Sequence, residues 1–333
     1  MNSGNMQDTL DLEKKLRGYL FGTACADALG RPVEHLTLKQ IKEKYGEKGI
    51  LELPPNSSWT DDTQLMLVLA RGLLHGAELE LSELMDKIAE ELILWLGEPD
   101  LGGAGATTKG AALSLKDGIH WSESGLNSKT CGSLMRVGIL GFIFSNDPEK
   151  LIKTASLSGR ITHNHPTADA ASIAGGAYAV KLALDGIAPE DMFLPLLKVT
   201  EGISDEFTEA LKHSYELAHS NLSDEEALQK LGQGWYADET FALAYFCILR
   251  YPDNYKKAVQ TGVNITGDSD SVGSVAGGIL GGARLGIEAV PVSWVESLKE
   301  KEIIEEMVEP PLIEKYLEVS ENKHQVSEDG FGA

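Results

Sequence analysis

Apolar residues recur three or four positions apart along most of the chain, which is the spacing of α-helices that bury one face. Short segments rich in Gly, Pro, Asn or Asp separate these runs, as expected where helices end. None of the apolar runs shows the strict alternation of apolar and polar residues that is typical of a half-buried β-strand. We therefore predict an all-α protein. The predicted helices cover residues 65–74, 81–93, 134–144, 168–184, 207–218, 227–231, 241–249 and 303–317.

No break in composition divides the 333 residues, which leaves either one large domain or two closely packed ones. We predict a single domain over residues 1–320 and a polar, frayed tail over residues 321–333. The formal net charge of −22 repels phosphate backbones and anionic membrane surfaces, which argues against nucleic acid and membranes as partners. The longest run of small apolar residues, 272–283, is too short to span a bilayer.

The three cysteines are far apart and form no Cys-x-x-Cys pair, which argues against a disulfide framework and against a zinc site built from thiolates. The first residues lack the basic start and apolar stretch of a signal peptide. Together these features predict a cytoplasmic protein.

Two acidic clusters each precede a predicted helix. The first is Thr60-Asp61-Asp62 and the second is Asp268-Ser269-Asp270-Ser271. Helix capping explains the first cluster well, with Thr60 or Asp61 as the N-cap and Gln64 completing a capping box. In the second cluster, one residue separates the carboxylates of Asp268 and Asp270, and a hydroxyl lies next to them. This arrangement favours a hard divalent cation, which prefers oxygen ligands. If the clusters meet in space, they can hold two ions, but the sequence leaves that meeting open.

Other signals have plainer explanations. His163 and His165 lie two residues apart without a third zinc ligand nearby, which favours a loop or helix-start role. The glycine-rich residues 102–106 could be a flexible linker or a loop that approaches a ligand. Asp27 is expected to bond to backbone at a helix end, and Glu34 to be a solvated carboxylate.

Five segments taken in order resemble the signature of the ADP-ribosylglycohydrolase family. They are Asp-Ala-Leu-Gly at 27–30 with Pro32 and Glu34, Trp-Thr-Asp-Asp-Thr at 59–63, Thr-Cys-Gly-Ser-Leu-Met-Arg at 130–136, Thr-His-Asn-His-Pro-Thr-Ala at 162–168, and Gly-Asp-Ser-Asp-Ser at 267–271 with glycines at 277 and 278. The resemblance implies a compact orthogonal bundle of helices with two Mg²⁺ ions, or Mn²⁺ in their place. It also implies hydrolysis of the glycosidic bond between ADP-ribose and a protein side chain or small molecule.

The resemblance also assigns roles to particular residues. It implies that the metal ligands are Thr60, Asp61, Asp62, Asp268, Asp270 and Ser271. It implies that Glu34 or Asp100 serves as the catalytic carboxylate. It places the substrate against Gly103, Gly105, Ser128, Gly132 and His163, where helix starts near Thr107 and Gly132 would neutralise its diphosphate.

The sequence departs from the family pattern at Cys131, where the family carries Asn, and in lacking a proline after Met135-Arg136. The first change removes an amide that can both donate and accept, so it bears on substrate contacts. Two other functions stay open: a binuclear-metal phosphohydrolase acting on a nucleotide, and a non-catalytic protein that binds ADP-ribose. The acidic charge favours a cationic, arginine-linked substrate.

Overall fold

The computed structural model describes residues 3–319, so the predicted tail over residues 321–333 lies outside the described part. The prediction of an all-α fold is confirmed, since the described residues form helices and only three isolated β-bridges. The α-helices are, in chain order, α1 (Ser3–Gly30), α2 (Leu38–Tyr45), α3 (Asp61–Gly76), α4 (Leu81–Trp95), α5 (Ala106–Lys116), α6 (Ile139–Ile143), α7 (Pro148–Arg160), α8 (Pro166–Ala171), α9 (Ala179–Leu184), α10 (Pro189–Val199), α11 (Asp205–Ala218), α12 (Asp224–Leu231), α13 (Ala237–Arg250), α14 (Tyr255–Val263), α15 (Ser269–Gly277), α16 (Val292–Ser297) and α17 (Lys301–Met307).

Five shorter helical segments complete the described fold. Two are 3₁₀ turns, at Cys131–Ser133 and Ile287–Ala289. Three are π-helical, at Ser172–Tyr178, Gly278–Arg284 and Val308–Leu312. Among the described helices, none is long and apolar enough to cross a membrane.

Side chains fix where several helices begin. Thr37 and Gln40 form a reciprocal capping box at the start of α2, and Ser223 and Glu226 form another at the start of α12. Asp147 caps α7, with a proline at the first helical position. The capping residues lie within three positions of each helix start, so local sequence is enough to determine where these helices begin.

Helix α1 lies antiparallel to α15 and to the π-helical segment that follows α15, and glycines make this approach possible. A Cβ on Gly18 would lie 2.4 Å from the carbonyl oxygen of Gly281, and one on Gly22 would lie 2.7 Å from that of Gly277. Any larger residue would force the helices apart. This contact sets the position of the α15 N-terminus beside the end of α1.

The structure differs from the prediction over residues 134–144, where only α6 is α-helical. The guanidinium of Arg136 is buried and donates to the backbone oxygens of Gly132 and Ser158 and to the hydroxyl of Thr162. A Cβ on Gly138 would lie 2.4 Å from the Tyr19 hydroxyl oxygen. These contacts with distant residues hold the backbone in turns, which apolar spacing does not reveal.

Two other predicted helices are continuous, but each contains a π-helical segment. Residues 168–184 pass from α8 through a π-helical segment into α9, and Gly175 in that segment packs against Phe241. Residues 303–317 pass from α17 into a π-helical segment that contains Pro311, which has no N–H to donate.

Candidate active site

The N-termini of α3 and α15 meet, although their sequences are far apart. The carboxylate of Asp62, in the first turn of α3, accepts a hydrogen bond of 2.6 Å from the hydroxyl of Ser274, 212 residues later. It also accepts one of 3.3 Å from Ser271. Both serines belong to α15. The two acidic clusters therefore lie side by side in the fold.

Thr60 and Asp27 together fix the start of α3. Thr60 is the N-cap, and its hydroxyl accepts from the backbone N–H of Asp62. Asp27, near the end of α1, accepts from the backbone N–H of Thr60 at 2.9 Å and from the hydroxyl of Thr63 at 2.5 Å. The expectation that Asp27 bonds to backbone at a helix end agrees with this contact, which joins α1 to α3.

Gln64 does not form the capping box that the sequence suggests. Its amide instead donates to the backbone oxygen of Asp100 and accepts from the indole of Trp95. The capping interpretation therefore holds for Thr60 alone. The carboxylates of Asp61 and Asp62 lie in the first turn, where the helix dipole favours negative charge, but they are not the N-cap.

Glu34 joins the second cluster. One carboxylate oxygen each from Glu34, Asp268 and Asp270 lies within 4.8 Å of the others. Two hydrogen bonds fasten the loop that carries Glu34 to the segment before α15: His35 N–H donates to Gly267 O at 3.1 Å, and Leu38 N–H donates to the Thr266 hydroxyl at 2.9 Å. Glu34 is thus part of the carboxylate cluster, where the family resemblance suggests a role for it, and not the solvated carboxylate expected from its local sequence.

Burial of so many carboxylates is costly unless something compensates their charge. Desolvation is the main cause that raises the pKa of each of these groups, and neighbouring carboxylates raise the pKa of several of them further. The pKa values so raised are those of Asp27, Glu34, Asp61, Asp62, Asp268 and Asp270. The metal-free cluster therefore favours protonation.

No lysine or arginine in residues 3–319 forms an ion pair with Asp61, Asp62, Asp268 or Asp270. The nearby Arg31 donates to the backbone oxygen of Trp59 instead. The protein's own lysines and arginines among the described residues therefore make no direct contact with these four carboxylates, although Arg31 and Arg136 lie near enough to attract Glu34 and Asp61.

Asp270 shows most directly that the cluster suits a cation. Its side chain is 3% exposed, and its Oδ1 atom has no hydrogen-bond partner. The N-cap of α15 is Asp268, which makes no side-chain capping bond. Oxygen atoms from carboxylates and hydroxyls are the ligands that Mg²⁺ and Mn²⁺ prefer. The donor set therefore fits a hard divalent cation.

Cys131 borders the same cluster. Its Sγ donates to Asp268 Oδ2 at 3.0 Å and lies 3.6 Å from Ser271 Oγ. Because Cys131 stands where the family carries Asn, we expect it to affect substrate contacts. In the structure its thiol lies against two of the predicted metal ligands.

A chain of hydrogen bonds extends from Cys131's neighbour. The hydroxyl of Thr130 contacts Ser128 Oγ at 3.1 Å and His163 Nε2 at 2.9 Å, and Thr107 donates to Ser128 at 3.1 Å. A Cβ on Gly132 would lie 2.9 Å from the His163 ring. Three of the predicted substrate residues, Ser128, Gly132 and His163, therefore form one wall of the site together with Thr107 and Thr130.

His163 is 1% exposed, and its Nδ1 contacts the hydroxyl of Thr162 at 2.8 Å. Burial, followed by the charge of Arg136, lowers the pKa of His163 to about 3, so the ring is neutral near pH 7. Both ring nitrogens already have partners. His165 is the N-cap of α8 and accepts from Thr167 N–H, so the two histidines do not form a metal pair.

The glycine-rich loop lies against the first acidic cluster. Gly102 has a φ of 62°, and a Cβ there would be 2.4 Å from Asp61 N, which itself donates to Gly102 O at 3.2 Å. A Cβ on Gly103 or Gly105 would meet nothing within 4 Å. Gly105 is the N-cap of α5 and makes no side-chain capping bond. The loop therefore borders the site and leaves open space beside the start of α5.

Asp100 is not part of the cluster of Glu34, Asp268 and Asp270. Its side chain is exposed, and Oδ1 accepts from Gly102 N–H at 3.0 Å. The residue lines a cavity of about 410 Å³ together with Arg31, Trp59 and Gln64. The helix start expected near Gly132 is a 3₁₀ turn of three residues. Gly132 therefore offers no α-helix N-terminus, whereas Thr107 lies in the first turn of α5.

Ser274, Arg136 and the pair of His35 and Trp235 lie at the site, although no residue pattern in the sequence assigned them to it. Ser274 and Arg136 contact the site through Asp62 and Thr162. The rings of His35 and Trp235 stack with centroids 4.8 Å apart and planes 14° apart, and His35 Nε2 lies 3.1 Å from Glu34. Only Arg136 had a sequence signal, since it ends a family-like segment.

Comparison with known proteins agrees with the geometry. A family model described as ADP-ribosylglycohydrolase matches residues 8–325. The ADP-ribosyl-[dinitrogen reductase] glycohydrolase of Rhodospirillum rubrum is 27% identical, over 85% of this chain and 90% of its own length. The mouse ADP-ribosylhydrolase ARH3 is 27% identical, over 85% of this chain and 87% of its own.

A solved structure has the same fold. The chain named "ADP-ribosylglycohydrolase-related protein complex" superposes with a TM-score of 0.70 at 26% identity, over 92% of this chain and 98% of the other.

Proposed function

Since the chain belongs to the ADP-ribosylglycohydrolase family, as the match over residues 8–325 shows, we propose that it removes ADP-ribose from modified side chains in a metal-dependent reaction. The observation that carries this proposal is the buried, unpartnered Oδ1 of Asp270 within a cluster of carboxylates that forms no ion pair with a lysine or arginine of residues 3–319. A structural role alone leaves that arrangement unexplained, because buried charges are normally paired.

The residues proposed to hold two Mg²⁺ ions, or Mn²⁺ in their place, are Thr60, Asp61, Asp62, Asp268, Asp270 and Ser271. They supply carboxylate and hydroxyl oxygens from two helix starts that are in hydrogen-bond contact. When bound, such ions supply Lewis-acid polarisation of the ribose oxygens.

Glu34 is the proposed catalytic carboxylate. Its oxygen lies within 4.8 Å of oxygens of Asp268 and Asp270, and its side chain is 26% exposed, so substrate and water can reach it. It would orient the attacking water and accept its proton. Asp100, the other carboxylate with this assignment, is exposed and bonded to its own loop, which favours Glu34.

The substrate is proposed to lie between Gly103 and Gly105 on one side and the wall of Ser128 and Gly132 on the other. The open space at the two loop glycines permits close approach of a diphosphate to the start of α5, whose first N–H groups attract anions. His163, with both ring nitrogens engaged, would position Thr130 and Ser128 in that wall.

Arginine-linked ADP-ribose is the proposed substrate in preference to serine-linked ADP-ribose. The guanidinium of the modified arginine is cationic, and a net charge of −22 steers cations toward the protein by long-range attraction. Salt screens that attraction, so kcat/KM for the arginine-linked substrate should fall as ionic strength rises.

The test uses one peptide scaffold carrying ADP-ribose on either arginine or serine, incubated with the full-length protein after chelation and after addition of Mg²⁺ or Mn²⁺. Free ADP-ribose, inorganic phosphate and AMP are measured together. We expect release of ADP-ribose that requires the cation and is faster from arginine.

Release of phosphate or AMP instead would identify a phosphohydrolase, and tight binding of ADP-ribose without turnover would identify a binding protein. A serine preference, or an arginine preference that salt does not change, would refute the charge argument while leaving the hydrolase assignment intact. Glu34→Gln serves to test the carboxylate, and Asp100→Asn is its matched comparison.

A further inference from the structure

We propose that Cys131 supplies a soft sulfur donor to the carboxylate cluster, so that the site also captures a thiophilic divalent cation such as Cd²⁺ or Zn²⁺ through Cys131 and Asp268. The inference rests on the proposed function in one respect only: it assumes that the same carboxylates bind a cation. It adds a donor type that the six oxygen-bearing ligands lack.

The distances at Cys131 suit two donors of one small ion. Zinc lies about 2.3 Å from sulfur and about 2.1 Å from oxygen, which places adjacent sulfur and oxygen donors about 3.1 Å apart at a right angle and about 3.6 Å apart at the tetrahedral angle. Cys131 Sγ lies 3.0 Å from Asp268 Oδ2 and 3.6 Å from Ser271 Oγ. No large rearrangement is needed for the thiol to share a cation with either oxygen.

A second observation points to a cation at the same place. Asp270 Oδ1 is buried without a partner, and a carboxylate oxygen of Asp270 lies within 4.8 Å of one from Asp268, the residue that Cys131 contacts. The sulfur therefore borders a cluster that already has an unsatisfied carboxylate oxygen. Neither Asp268 nor Asp270 forms an ion pair with a lysine or arginine of residues 3–319.

Sulfur changes which cations the site favours. Thiolate binds Zn²⁺ and related soft cations strongly, whereas Mg²⁺ prefers oxygen alone. Coordination replaces the S–H bond with a sulfur–metal bond, and the proton passes to the buffer, so no oxidant or reductant takes part. The scattered cysteines exclude a site built from several thiolates, but they do not exclude one thiolate among carboxylates.

The other cysteines provide an internal control. Cys25 and Cys247 are 0% exposed in the apolar core, whereas Cys131 is half-buried at the site. A thiophilic cation that reaches the folded protein therefore meets Cys131 first. Signals from sulfur can be assigned to one residue by substitution.

The experiment titrates the metal-free, full-length protein with Cd²⁺ and follows the ultraviolet charge-transfer absorption of the cadmium–thiolate bond. Calorimetry with Mg²⁺ and Mn²⁺ is carried out on the same samples. We expect saturable absorption in the original protein, its loss in Cys131→Ser together with at least about a tenfold loss of Cd²⁺ affinity, and its retention in Cys247→Ala. Cys131→Ser should still bind Mg²⁺ or Mn²⁺, because it retains the oxygen ligands.

Three outcomes distinguish the proposed role of Cys131 from the proposed function. Binding of Mg²⁺ or Mn²⁺ without cadmium–thiolate absorption would overturn the role of Cys131 and leave the proposed function standing. Absorption that persists in Cys131→Ser would also overturn that role. Cadmium–thiolate absorption that requires Cys131 in a protein that binds neither Mg²⁺ nor Mn²⁺ would support the soft site and count against the proposed function.

Discussion

Gly30, the last residue of α1, lies directly against the backbone of Asp270. A Cβ on Gly30 would be 2.4 Å from Asp270 Cα and 2.5 Å from its N atom, closer than real side chains approach. Since Asp270 lies in the first turn of α15, the end of α1 sets the position of one carboxylate of the site. The glycine is therefore required by the packing of two helices at the proposed metal centre.

Gly30→Ala should weaken both the fold and cation binding, because the added methyl must displace the backbone of Asp270. Overpacking of this kind costs roughly 1–3 kcal/mol of the free energy of unfolding. Gly18→Ala is the matched control, since its Cβ would meet Gly281 O at 2.4 Å, against the π-helical segment beyond α15. Denaturant unfolding and Mn²⁺ calorimetry should show both variants destabilised, with cation affinity reduced in Gly30→Ala alone. Equal cation affinities in Gly30→Ala and Gly18→Ala would disprove that Gly30 positions Asp270 for cation binding.

Asp270→Asn should abolish tight cation binding and lower turnover at least about a hundredfold, as expected for loss of a key ligand. The metal-free variant should melt at a higher temperature than the metal-free original near neutral pH, because Asn cannot ionise and so avoids the free-energy cost of either protonating or burying the Asp270 carboxylate. Asp205→Asn, in the exposed first turn of α11, should change neither property. Near-normal hydrolysis by Asp270→Asn would refute the ligand assignment.

The metal-free protein should lose stability as pH rises above about 4, the ordinary pKa of an aspartate in the unfolded chain. Burial raises the pKa of Asp61, Asp62 and Asp270 in the folded state, so the folded protein holds more protons than the unfolded one between the two pKa values. The contribution of these groups to the free energy of unfolding is fully present below about pH 4. It is lost as the pH rises through their pKa values in the folded state.

Thermal melts across pH, in chelator and in Mg²⁺, check this expectation. The increase in melting temperature on adding Mg²⁺ should grow with pH, because protons and cations compete for the same oxygens. Other carboxylates also titrate, so the decisive quantity is the difference between the original protein and Asp270→Asn. A difference that does not vary with pH would contradict the assigned cause.

Trp235→Leu should reduce turnover between about tenfold and a hundredfold through loss of the stack that holds His35 beside Glu34, since small misplacements of a catalytic group have effects of that size. The double variant Trp235→Leu with Glu34→Gln should be no worse than Glu34→Gln alone, as measured by a double-mutant cycle. Trp121→Leu is the control, because Trp121 packs on His120 with centroids 4.9 Å apart outside the carboxylate cluster. Independent, multiplicative effects would show that Trp235 does not act through Glu34.

Local sequence was enough to predict the helices whose buried faces and ends depend on nearby residues. The spacing of Leu65, Leu69 and Leu73 predicts α3 correctly, because one helical face is set by residues three and four apart. The prediction failed at residues 134–138, where Arg136 bonds to Ser158 and Thr162 and Gly138 packs against Tyr19. Those partners come from other parts of the chain.

For the site, the sequence by itself determined which residue types were available: two acidic clusters with hydroxyls at helix starts, glycines beside them, and a cysteine where the family has Asn. Only the tertiary structure decided that Asp62 meets Ser271 and Ser274, that Glu34 joins Asp268 and Asp270, and that the Cys131 thiol contacts Asp268. The physical reason is that capping and helical periodicity act within a few residues, whereas these contacts depend on how closely α1, α3 and α15 pack, which residues distant in sequence determine together.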